Sequence, residues 1–300
     1  MEKRIALLLL AFLLSPLSAQ AGELLNQFDR PRRDRKSDDR RQWHGVTFFN
    51  AFGLSGGIWN AVIDSEIRID KANVIGSPVD FGPNLGIEST QPLFVGKTFF
   101  GYEWKEGRAL RIETSYFWGR YEGSEQTVAG DEFVLDGWTF SDGTAWDSKV
   151  DILQGKTTLR FTPWIIDLGL VQIRPSFYGG GVYMQWTLRL DVTTQPATGD
   201  IGDNGNVKDR YHAAMGFVGG HLEVRVGPVW AYVWAGGLQF KRNELAAQYF
   251  EAGGGLKFEI LPFLVANAEF SYIEANLDRN DQFRTNFQMY GPSVFLVLKY

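Results

Sequence analysis

The chain contains no cysteine, so it has neither disulfides nor a lipid-bearing cysteine anchor, and its stability must come from the fold itself. It also lacks any apolar run long enough to be a membrane helix. The longest such run, Ile5 to Leu14, is about half of the roughly 20 residues a spanning helix needs. A net charge of −5 gives no electrostatic footprint for a nucleic-acid partner. Only three histidines occur, His44, His212 and His221, which leaves little material for histidine-based catalysis.

Aromatic residues and glycine, by contrast, are abundant. The chain has 10 Trp, 23 Phe, 11 Tyr and 34 Gly, a mixture that favours many short strands joined by turns. At the N-terminus, Lys3 and Arg4 precede the apolar run, and the small-residue pair Ala19-x-Ala21 follows it. This is the layout of a secretory signal peptide over residues 1–21, with cleavage expected after Ala21. Residues 22–43 come next. Between Asp29 and Arg41 they carry seven basic and four acidic residues and read as a solvated periplasmic linker.

From residue 44 to 300 the sequence alternates between strand-like runs and connections. "FVGKTFFGYEW", "KEGR" and "ALRIETSYFWGRYEG" form the clearest hairpin, in which Leu110, Ile112, Tyr116 and Trp118 alternate with Arg111, Glu113, Ser115 and Gly119. Tight connections recur at Pro163 to Gly169, Gly227-Pro228 and Leu261-Pro262. Longer ones are expected at Ile58 to Gln91, Gly123 to Lys149 and Val192 to Asp209, with shorter ones near Asn243 and Asp278 to Arg284. Ten strands result, with eight or twelve as alternatives, and long and short connections strictly alternate. Most runs are 12 to 16 residues, while about 9 to 11 suffice for a tilted strand to cross a bilayer. The fold class expected is all-β, a closed antiparallel up-and-down transmembrane barrel. A soluble barrel also alternates, but it places its apolar residues inside.

The last strand carries the most specific signal. Val294, Leu296, Leu298 and Tyr300 resemble the closing-strand signal of bacterial outer-membrane β-barrel proteins, which end in an aromatic residue preceded by alternating hydrophobics. The resemblance implies an outer-membrane location in a Gram-negative cell envelope. It also implies recognition by the barrel assembly machinery and contact with outer-membrane lipids and lipopolysaccharide. The small porin-like, opacity-like and OmpW-like barrels are the nearest in kind. Gly291-Pro292 interrupts the strand, and a bulge is expected there because proline cannot donate a ladder hydrogen bond.

A ten-stranded barrel has a narrow interior. Strand parity turns Arg111, Glu113, Arg160, Arg174, Glu223, Arg225, Lys257 and Glu259 inward near the tight-turn end. Such mixed signs suit a paired charge network, with a solute-selecting constriction as the alternative. Gly179, Gly219, Gly236 and Gly254 stand at similar height on four neighbouring strands. They mark either niches for neighbouring aromatics or a recess for an apolar ligand.

Ser176, His221 and Glu223 form a weak catalytic candidate of the nucleophile, base and carboxylate type. Known outer-membrane lipases and lipid A deacylases pair His with Ser two residues later, and omptin proteases use an Asp-His pair; neither motif occurs here. Asp200, Asp203 and Asn204 offer clustered oxygen ligands without a full calcium-loop set. No cofactor is expected.

From Glu122 to Ser148 there are seven acidic residues and no Lys or Arg, and "FVLDGWTF" reads as a hairpin with an Asp-Gly turn. The role expected is non-catalytic, either a small porin-like conduit or a structural surface barrel. The alternatives are an adhesin acting through extracellular loops and a lipid hydrolase.

Overall fold

Period-two alternation makes a strand with one face for lipid and one for the interior, and the backbone groups left at its edges must pair because lipid offers them no partner. The computed structural model describes residues 51–70, 75–104, 108–128, 131–194, 207–242, 245–279 and 283–299. The expected signal peptide and linker, the first residues of the barrel domain, and Tyr300 lie outside the described residues.

Ten strands form the wall: β1 (Ala51–Ile69), β2 (Thr90–Glu103), β3 (Ala109–Gln126), β4 (Ala145–Thr162), β5 (Val171–Thr194), β6 (Val207–Val226), β7 (Val229–Arg242), β8 (Leu245–Leu261), β9 (Leu264–Arg279) and β10 (Phe283–Lys299). Each pairs antiparallel with the next, and β10 returns to β1 in a ladder from Gly53 opposite Lys299 to Ile69 opposite Phe283. The sheet is therefore a closed up-and-down barrel of ten strands.

Short connections such as Gly227-Pro228 and Pro262-Phe263 lie at one end, the end at which β1 starts and β10 finishes. Gly227 takes a φ of 59°, a conformation glycine adopts at no steric cost.

The strands run from 14 to 24 residues, longer than the hydropathy alternation marks. The expected connection from Ile58 to Gln91 accordingly shrinks, because β1 continues to Ile69. The reason is an inversion of pattern. Toward the short-turn end, Leu110, Ile112, Tyr116 and Trp118 point outward and are exposed. Toward the long-loop end, Val150, Ile152, Leu188 and Leu190 are buried inside, while Lys149, Asp151, Arg189 and Asp191 take the outer face. The ladder continues past the apolar belt, but its faces exchange polarity.

At the long-loop end, Val79–Asp80 pairs with Glu66 and Ile67 of β1, and Val79, Phe81, Leu85 and Ile87 are buried. A hairpin of Phe133–Leu135 and Trp138–Phe140 turns through Asp136 (φ 51°) and Gly137 (φ 78°). Two positive φ values are what a type I′ turn requires. Phe133 stacks on Phe140 at 4.7 Å, and both meet Trp146 edge-on. The two caps are joined where Ser77 N–H donates to Val134 O (2.8 Å) and Val134 N–H donates to Ser77 Oγ (3.1 Å).

Gly291-Pro292 corrects one expectation, since no bulge forms. Trp59 opposite Ser293 and Val62 opposite Tyr290 keep one register, and the ladder only skips Asn60 and Ala61 between them. The Gly291 carbonyl, beside the interruption, accepts the Trp59 indole N–H at 3.0 Å, so a lumenal side chain ties the backbone at this point.

The closing seam is closely packed. A Cβ on Gly57 would stand 2.2 Å from Val294 O and 2.4 Å from the Phe295 ring, whereas one on Gly56, on the outer face, would meet nothing within 4 Å. Gly57→Val is expected to abolish the folded, heat-modifiable band of the refolded protein on unheated gels. Gly56→Ala is expected to migrate as wild type.

Asp70, at the root of the first cap, receives both Arg68 Nε (3.1 Å) and the Gly76 N–H (2.6 Å). Desolvation pushes its carboxyl up, but these bonds and the arginine charge outweigh it and hold the pKa below the usual value. The stabilisation is therefore full above the unfolded pKa and lost as pH falls through the folded one. Hydrogen exchange at Gly76 is expected to be faster in Asp70→Asn than in wild type at neutral pH, and the two should converge on acidification.

Candidate functional site

Lumen-facing residues divide the interior into two zones. The zone nearer the long loops is apolar and filled. Trp186 of β5 meets Phe287 of β10 edge-on at 5.3 Å, although these strands lie five places apart in a ring of ten and thus on opposite walls. Tyr211 of β6 stacks on Phe283 at 4.2 Å. Leu93, Tyr121, Ile152, Met184 and Met289 complete this plug, with no exposure.

The zone nearer the short turns is charged and contains a cavity of about 250 Å³. Arg160 Nη2 lies 2.9 Å from Glu113, and Lys257 pairs with Glu223 at 2.5 Å. Glu259 takes Arg225 at 3.0 Å and also the Lys299 ammonium. Arg111 pairs with Glu103. Among the described residues Arg174 forms no ion pair with the other seven predicted network residues; its guanidinium lies 4.6 Å from the Trp230 ring, with Arg225 at 4.8 Å from the same ring. Trp230 thus offers its ring to both cations.

Four further charges belong to this zone and escaped sequence reasoning. Lys156 of β4 reaches Glu251 of β8 at 2.6 Å, and Tyr249 donates to the same carboxylate at 2.8 Å. Lys97 of β2 reaches Glu269 of β9 at 2.6 Å, where Tyr232 also donates at 2.8 Å. These bonds cross the lumen and link walls that share no ladder. Extending strand parity farther from the tight turns would have turned all four inward, but only folding could say which lysine meets which glutamate.

Ser176 and His221 stand opposite one another in the β5–β6 ladder. The serine hydroxyl bonds Thr162 Oγ1 at 2.8 Å, and no serine–histidine hydrogen bond occurs among the described residues. His221 Nε2 lies 3.8 Å from Glu223, beyond hydrogen-bonding reach. The glycine band is occupied on its inner face: a Cβ on Gly219 or Gly236 would stand 2.6 Å from the Tyr178 hydroxyl, and one on Gly253 would stand 2.3 Å from the Trp234 ring. Gly179 and Gly254 belong to the outer face, where a Cβ would touch Val218 and Val233.

Val294, Leu296 and Leu298 are exposed on the outer wall, and Phe295 is buried inside. Asp200, Asp203 and Asn204 lie outside the described residues. Among the described residues no group of three His, Asp or Glu could hold a metal ion.

The crossing pairs set the energetics of this zone. Glu251 and Lys156 have side-chain exposures of 4% and 18%, and removing one partner of such a pair typically costs about 3–5 kcal/mol because the other charge is left buried. Glu251→Gln is expected to lose that much in denaturant unfolding from detergent micelles. Combining Glu251→Leu with Lys156→Met is expected to recover most of it, and strict additivity of the two single changes would show the pair is not coupled.

No protein-family model and no curated protein matches the sequence. Among solved structures, the outer-membrane protease OmpT of Escherichia coli is similar at 9% identity and a TM-score of 0.41, covering 84% of this chain and 97% of that one. Neisserial surface protein A is similar at 10% and 0.30, covering 84% and 99%. The attachment invasion locus protein Ail of Yersinia pestis is similar at 10% and 0.27, covering 82% and 99%. The likeness is to a class, bacterial outer-membrane β-barrel proteins, and it extends to the barrel architecture alone.

Proposed function

We propose that the protein is an integral outer-membrane barrel with a non-catalytic, structural role at the cell surface, and that its lumen does not conduct ions steadily. The observation that carries this reading is the contact of Trp186 with Phe287 from opposite walls. Ring-to-ring contact across the bore, amid apolar side chains with no exposure, opposes a water path, and an ion there would have to be desolvated without compensation. Of the two roles read from the sequence, the structural barrel is thus favoured over the porin-like conduit. A non-catalytic role is supported by Ser176, whose hydroxyl is engaged by Thr162.

Export, with removal of the leader after Ala21, and insertion by the barrel assembly machinery belong to the same reading. The outward row of Val294, Leu296 and Leu298 supports the latter. Contact with lipopolysaccharide is supported by the outer wall, where Lys149 and Lys208 both stand directly opposite Arg189. Like charges in direct register repel, and lipid phosphates at that level would relieve them. Arg189 stands beyond Tyr183 along β5, where interfacial aromatics mark the edge of the hydrocarbon.

Planar bilayers test the reading directly. The refolded wild-type protein is expected to be silent, and Trp186→Ala combined with Phe287→Ala is expected to admit current by opening the plug. A steady ohmic current through wild type would overturn the proposal and restore the conduit.

A further inference from the structure

The plug closes the lumen from one side only, and the charged zone beneath it holds a cavity of about 250 Å³. Its lining combines two chemistries. Trp59, Phe117, Trp234 and Phe295 supply apolar and aromatic surface, while Arg111 and Arg160 stand directly opposite each other on β3 and β4 and both line the same space.

The carboxylates lining this space are already engaged. Glu251 and Glu269 each accept from one lysine and one tyrosine, and Glu113 takes Arg160. The arginines are not exhausted, because the Nε of Arg111 and of Arg160 are both buried without a hydrogen-bond partner among the described residues. Two further lining groups are left in the same condition: His221 Nδ1 and Gln154 Oε1, on side chains that are more than nine-tenths buried.

Buried polar atoms without partners are rare in folded proteins and call for an explanation. Arg111 and Arg160 are each matched by one glutamate, Glu103 and Glu113, but the two guanidinium groups stand in register, and an acceptor reaching both would further offset their repulsion. A guanidinium fork matches a carboxylate in shape and charge. An apolar cavity of about 150 Å³ is enough to hold benzene, so the space here admits a ring with a carboxylate attached.

We propose that the short-turn half of the lumen is a binding site for a small aromatic carboxylate, closed at its inner end by the plug. Arg111 and Arg160 grip the carboxylate, His221 and Gln154 meet its remaining polar atoms or an accompanying water, and the aromatic walls take the ring. Binding is read independently of conduction, so this site stands or falls apart from the silent-lumen reading.

The experiment titrates benzoate into the refolded full chain in lipid nanodiscs and follows tryptophan fluorescence, since Trp59 and Trp234 line the cavity. A saturable change is expected for benzoate. Benzyl alcohol, which keeps the ring and loses the charge, and inorganic phosphate, which keeps the charge and loses the ring, are each expected to bind at least tenfold more weakly.

Arg160→Gln is expected to weaken benzoate at least tenfold. Thr158→Leu, which fills the cavity without changing charge, provides a second variant should the first fail to fold, and it is expected to weaken benzoate to the same degree. The proposal is overturned if benzoate gives no saturable signal, or if phosphate binds as well as benzoate. Unchanged benzoate affinity in whichever of the two variants folds would overturn it equally.

Discussion

Closure of the ring by β1 and β10 is the constraint on which everything else depends. In hydrocarbon an unpaired backbone group costs several kcal/mol, so the last strand must find the first, and the strand count then fixes the bore. Ten strands leave a bore that side chains can span, and they do span it. Trp186 reaches Phe287, and Lys156 reaches Glu251, across walls that share no backbone bond. The one gap in the closing ladder among the described residues lies opposite Gly291 and Pro292, and the Gly291 carbonyl there takes the Trp59 indole N–H from within.

The two zones of the lumen follow from how a narrow bore treats polarity. Where the outer wall touches lipid, apolar residues are spent outside and the interior receives the charges. There each charge needs a partner within reach, and tyrosine hydroxyls complete the carboxylates that a lysine alone would leave half satisfied. Beyond the apolar belt the outer wall takes charged residues and the interior becomes an ordinary hydrophobic core, over which the two caps fold. One barrel thus contains a membrane protein's arrangement and a soluble protein's arrangement in series, and the proposed closed lumen arises where the second begins.

Much of this was legible in the sequence because it depends on local periodicity. The phase of β3 follows from Leu110, Ile112, Tyr116 and Trp118, and the Asp136-Gly137 turn follows from its two residues. The alternation also marks the phase of the last strand, with Val294, Leu296 and Leu298 outward and Phe295 inward. The true strand lengths were not legible, because a reader following apolar-outward alternation stops where polarity inverts, as it does near Lys149 and Arg189. The bulge expected at Pro292 did not form: proline removes one donor, but the ladder keeps its register on both sides, and the Trp59 indole holds the adjacent Gly291 carbonyl.

Composition and period two by themselves determined that this chain makes strands, about ten of them, and which faces are apolar near the short turns. Those properties are set within a strand or between neighbours in sequence. Only the tertiary structure decided that Lys97 meets Glu269, that Tyr178 fills the space left by Gly219 and Gly236, and that two arginines share a cavity with unspent donors. Each of those depends on which side chains the curvature of the wall brings to the same height across the bore, a distance that no spacing along the chain encodes.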